Sequence, residues 1–131
     1  MTRIQKSKAF SDSLVLSDGD KEIQIDVKLD LYAAASKYRR CQVAIIDAKK
    51  KAEENPRDTG NLEAYGKAIY ALLELLFGRE NTEKMIGFYE DNWAKLLVDI
   101  TPYIVDTIYP ALEEERKRQF SNAKKARRSM R

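Results

Sequence analysis

Lys21-Glu22-Ile23-Gln24-Ile25-Asp26-Val27-Lys28-Leu29 alternates polar and apolar residues over nine positions. A period of two puts Ile23, Ile25, Val27 and Leu29 on one face of a strand, with the polar residues on the other. Just upstream, Leu14-Val15-Leu16 leads into Ser17-Asp18-Gly19-Asp20. Asp-Gly tolerates the positive φ that a tight hairpin turn demands, so the two runs read as a β-hairpin over residues 13–30. Residues before it are polar, with Arg3, Lys6 and Lys8, and read as a loose arm. Two strands leave two edges open. The hairpin is therefore expected to pack on helices or to pair with another chain.

Beyond residue 30 the period changes. Ala34, Tyr38, Cys41, Ile45, Ala48 and Ala52 recur every three or four residues, one stripe of a helix that Asn55-Pro56 ends. Thr59-Gly60-Asn61 opens a second helix with the stripe Leu62, Tyr65, Ile69, Leu72 and Leu76, and Gly78 is placed to terminate it. A third helix is expected over about 82–91, capped by Asn81 or Thr82. A last stretch runs from Trp93 to Leu112, with a restart at Thr101-Pro102 and a kink at Pro110. The fold class is α+β, mostly α: an N-terminal hairpin followed by about four helices.

Composition narrows the chemistry. The chain has 131 residues, 44% hydrophobic and 34% charged, enough apolar content for one core. No apolar run approaches the roughly 18 residues that cross a bilayer, and no signal-peptide core stands at the amino end. The expectation is a cytoplasmic protein. With no histidine and a single cysteine, the usual metal ligands and the usual neutral-pH base are missing, so no catalytic residue, metal or cofactor is assigned. Residues 1–115 hold 16 Lys and Arg against 21 Asp and Glu, a balance of −5, whereas residues 116–131 hold eight basic residues and no acid, a balance of +8. This divides the chain into a body, 1–115, and a basic tail, 116–131.

Several constellations invite chemistry and have plainer explanations. Glu113, Glu114 and Glu115 with Asp106 resemble an acidic cluster, but a solvated helix surface accounts for them. Glu90 and Asp91 beside Trp93 lack an opposing carboxylate for sugar hydrolysis. Cys41 lies on an apolar stripe without a base to activate it. Gly60, Gly66 and Gly78 match no phosphate-binding loop. Seven tyrosines are spread over the helices and read as core-edge residues. The basic tail, with Arg116, Lys117, Arg118, Lys124, Lys125, Arg127 and Arg128, suits contact with an acidic protein or, alternatively, with nucleic acid through phosphates. Phe120 is its one aromatic, which gives base stacking little support.

The order of elements resembles a known family. The strand Ile23 to Leu29, the helical Tyr32 to Lys51, Leu72-Leu73-Glu74-Leu75-Leu76-Phe77-Gly78, Ile86-Gly87-Phe88-Tyr89 and Trp93-Ala94-Lys95-Leu96-Leu97 through Ile104 are similar to tail assembly chaperones of long-tailed phages infecting Gram-positive bacteria. The similarity spans most of residues 20–115 in pattern and length. It implies a non-enzymatic role in the host cytoplasm: binding the tape measure protein, keeping it soluble and helping recruit tail tube subunits, with homo-oligomers possible. Family members are often made in a short and a frameshift-extended form, and Lys124-Lys125 is compatible with an A-rich slippery site. Partner contacts are then expected at Ile23, Ile25, Val27, Tyr89 and Trp93 and along the basic tail, with no membrane and no cofactor involved.

Overall fold

The computed structural model describes residues 1–2 and 9–130. β1 (Ala9–Asp18) and β2 (Lys21–Asp30) pair antiparallel along their whole length, setting Leu14 opposite Ile25, Leu16 opposite Ile23 and Phe10 opposite Leu29. Gly19 in the turn has φ +62°, the left-handed conformation that the Asp-Gly signal implied. β1 begins at Ala9 and not at residue 13. Ser11, Asp12 and Ser13 show no apolar alternation, yet the ladder to β2 carries the strand past them until Phe10 packs at the core. Residues 9–12, expected within the loose arm, therefore belong to the strand, and Arg3, Lys6 and Lys8 lie outside the described residues.

α1 (Leu31–Glu54) follows without a loop because Asp30 caps it, accepting from the N–H groups of Tyr32 and Ala33 at 3.0 and 3.3 Å. α2 (Thr59–Phe77) is capped by Asp58, which accepts from the Gly60 N–H at 2.9 Å, and it packs along α1. Its stripe is buried from Ile69 onward, whereas Leu62 is 53% exposed on the first turn, before the helix reaches the core.

α3 (Arg79–Phe88) starts three residues earlier than expected. Gly78 has φ +81° and ψ 162°, a region nearly confined to glycine, so the chain ends α2 and begins α3 across one residue. Asn81 and Thr82 are inside the helix rather than caps. The Asn81 amide donates to the carbonyls of Phe77 and Asp26, both at 3.0 Å, and the Thr82 hydroxyl to Gly78 at 2.7 Å.

α4 (Trp93–Tyr103), capped by Asn92, runs through one π-helical turn (Ile104–Ile108) into α5 (Tyr109–Ser129). Pro102 does not restart the helix. It sits exposed within α4, and the Thr101 hydroxyl donates back to Leu97 instead of capping. In the widened turn the Tyr109 N–H reaches Ile104, five residues back, and Pro110 then enters the first turn of α5, where its missing N–H costs little. α5 passes through residue 115, the body–tail boundary expected from charge, without interruption.

The fold is α+β and mostly α, a hairpin followed by helices. Its core joins Ile25, Val27 and Leu29 of the sheet to Ile69, Leu73 and Leu76 of α2, Met85 of α3, Leu96 and Ile100 of α4, Ile104 and Ile108 of the π turn, and Leu112 of α5. Among the described residues no helix is long and apolar enough to cross a membrane.

Candidate interaction surface

Three regions hold the residues that the sequence singled out. The first is the inner face of the hairpin. Ile25 is fully buried, Val27 is 1% exposed and Ile23 is half-buried. Expected as partner contacts, Ile25 and Val27 are instead core residues, because α2 and α3 cover that face. Helix α3 also shields one edge of the sheet: Asn81 donates to the Asp26 carbonyl and Lys84 Nζ to the Gln24 carbonyl at 2.9 Å. Among the described residues nothing pairs with the other edge, along β1.

The second region surrounds Tyr89 and Trp93. The Tyr89 hydroxyl donates to Asp99 Oδ2 at 2.8 Å, and Lys95 Nζ lies 3.0 Å from Asp99 Oδ1. Burial first, then the bond to Asp99, pushes the Tyr89 phenol up to about 12, while the same bond holds the Asp99 carboxyl below its usual range. Trp93 packs edge-on against Tyr65, with ring centroids 5.3 Å apart. It also lies so close over Gly66 that a Cβ there would stand 3.2 Å from the indole. Both aromatics are half-buried parts of the domain's own packing. The chain turns at Glu90 and Asp91, both at positive φ, which brings Lys95 and Asp99 back beside Tyr89.

A related link escaped the sequence reading. Tyr103 donates to Asp12 Oδ2 at 2.7 Å across 91 positions of chain, tying α4 to β1. Burial and then the Asp12 carboxylate push the Tyr103 phenol upward. The one available signal was Asp12 itself, a charge in register between Phe10 and Leu14 on the strand face that carries apolar residues.

The third region is the pair α1 and α5, which line an open groove of about 870 Å³. They meet where the Tyr38 and Tyr109 rings pack at 5.7 Å between centroids, and Leu112 is buried beneath. Farther along, Gln119 reaches the Tyr32 carbonyl at 3.5 Å, and from Phe120 to Met130 every described residue is exposed. The glutamates of α5 do not converge. Glu115 is buried and paired with Arg118, and Glu113 lies 3.7 Å from Arg116. The predicted contacts Arg116, Lys117, Arg118, Lys124, Lys125, Arg127 and Arg128 are thus all exposed on one helix, two of them in ion pairs. Burial pushes the Cys41 thiol up despite nearby Arg40 and Lys37, the opposite of what a nucleophile needs.

Among the described residues, no three His, Cys, Asp or Glu side chains gather where they could hold a metal ion. What the geometry offers is surface: a closed core on one side and, on the other, two helices with uncovered apolar and basic side chains. No protein-family model, no curated protein and no solved structure matches this chain.

Proposed function

We propose that the chain is a non-enzymatic tail assembly chaperone of a long-tailed phage or prophage of Gram-positive bacteria. In this reading it works in the host cytoplasm, holding the tape measure protein soluble and helping tail tube subunits assemble around it. The observation that carries the reading is the α1–α5 surface. Along the groove that these two helices line, Phe120 is 77% exposed and Tyr109 39% exposed. A protein that acts by contact needs such faces, and helical clients dock on them through apolar anchors. The resemblance in element order over residues 20–115 supplies the family.

The test is co-expression with the tape measure protein of the phage that encodes the chain. The tape measure protein is expected to stay soluble and to co-elute with the chain. Aggregation with and without the chain overturns the reading. The exposed Lys124, Lys125, Arg127 and Arg128 favour a second reading, a nucleic-acid-associated protein. That reading requires binding to DNA or RNA that falls steeply with salt and disappears when residues after Gln119 are removed.

A further inference from the structure

We propose that the groove between α1 and α5 is the docking site for one amphipathic helix of a client protein, with acidic residues flanking its apolar stripe. The existence of a helical client rests on the chaperone reading; the place and chemistry of docking rest on the groove. The α5 wall runs from Tyr109 to Arg127. At 1.5 Å per residue α5 offers about 27 Å, along which a helix of roughly 18 residues can lie, and α1, from Ala35 to Gln42, flanks about 10 Å of it. A third helix packs naturally along the seam of two neighbouring ones, its side chains entering the groove between theirs. The floor is made for close approach, with the small Ala35 and Ala123 and the apolar edges of Tyr109 and Leu112. Phe120 stands at the rim, 77% exposed, the sort of aromatic anchor that dominates binding once covered.

Charge decides which helix. The rim carries Arg39 on α1 and Arg116 and Arg127 on α5, against one acid, Glu113, which is already paired with Arg116. An acidic flank meets this rim favourably, and a basic one is repelled. The helices of a second copy do not supply the complement, because their apolar stripes are buried in their own core. α1 mixes exposed Lys37, Arg39, Arg40, Lys49, Lys50 and Lys51 with Asp47, Glu53 and Glu54, and the free end of α5 carries four basic residues and no acid. The amino-terminal stretch, with Arg3, Lys6 and Lys8, has the rim's own sign. Nucleic acid would satisfy the arginines but not the apolar floor, and the tyrosine rings at its head are packed on one another rather than open for base stacking.

The full-length protein is titrated, by fluorescence anisotropy, with three labelled probes. These are an 18-residue helical peptide with a leucine stripe flanked by glutamates, the same peptide with lysines for the glutamates, and a single-stranded oligonucleotide of 20 nucleotides. The acidic peptide is expected to bind, and the basic one to bind at least about tenfold more weakly. Phe120→Ala should weaken the acidic peptide by about tenfold without moving the melting temperature, since Phe120 supports nothing in the fold. Arg39→Glu with Arg127→Glu should reverse the preference between the two peptides. Equal affinity for both peptides, indifference to Phe120→Ala, or tighter binding of the oligonucleotide at 0.15 M salt overturns the proposal. The same variants in the co-expression experiment separate the two claims. A tape measure protein solubilised by wild type and variants alike defeats the groove and spares the chaperone reading, whereas peptide binding with an insoluble tape measure protein does the reverse.

Discussion

The hairpin and α5 are each too weak to stand alone, and the domain treats them in opposite ways. A two-stranded sheet is marginal in water, and a helix with few apolar residues has no face to bury. The hairpin is rescued: α2 and α3 cover its inner face, Asn81 and Lys84 reach its backbone edge, and Tyr103 ties Asp12 to α4. α5 is packed from Tyr109 only as far as Gln119, with Leu112 and Glu115 buried, and its remaining turns run uncovered. The contrast teaches where partner surface comes from. Residues read as contacts because they are apolar were taken up by the core, and the surface left for others is what the core could not reach.

The sharpest way to break the contrast is a charge on the covered face. Ile25→Lys puts an ammonium in the core and should cost about 3 kcal/mol or more, read as loss of cooperative unfolding or a large drop in the urea midpoint. A midpoint unchanged from wild type would mean that the hairpin is not covered as described. Next comes the boundary within α5. A chain ending at Glu115 strips Arg118 from a buried carboxylate and should lose about 1–3 kcal/mol. A chain ending at Phe120 should lose less than about 0.5 kcal/mol, because nothing beyond it is buried. Equal stabilities for the two truncations would place the boundary at residue 115 after all.

Gly78→Ala is expected to cost about 1–2 kcal/mol through backbone strain alone, since a Cβ there meets nothing. Gly87, at an ordinary φ inside α3 and equally unobstructed, should accept Ala with a small gain. Urea melts of the two variants check the pair. The smallest effect concerns pH. The Tyr89 phenol is raised in the folded state, so its bond contributes stability that is fully present below about pH 10, the ordinary tyrosine value, and is lost as pH rises through about 12. Asp99 is depressed, so the same contact weakens again as pH falls below the ordinary carboxylate range. Midpoints measured from pH 9 to 12 should fall less steeply for Tyr89→Phe than for wild type.

Much of this was legible in residue order. Alternation at 21–29 and the Asp-Gly pair located β2 and the turn, because strand period and turn chemistry are local. Gly78 marked the helix end for a comparable reason. Asn81 and Thr82 misled because a capping residue looks the same in sequence whether it caps or turns inward to bond a neighbouring strand. Thr101-Pro102 misled because an exposed proline can stay within a helix when a side-chain hydroxyl and solvent surround the interrupted ladder. The start of β1 was hidden because its polar residues are held by pairing with β2, not by their own pattern.

By itself the sequence determined the periods, the breaks and the asymmetry of charge: a hairpin, a run of helices and a basic end. These follow from neighbours a few residues apart, which share a face or a turn whatever the rest of the chain does. Only the tertiary structure decided that Ile25 and Val27 belong to the interior, that Tyr103 answers Asp12, that Glu115 is buried with Arg118 as its partner, and that α1 and α5 together line a groove. Each of these depends on which elements come together across long separations, and burial, unlike periodicity, is a property of the assembled whole.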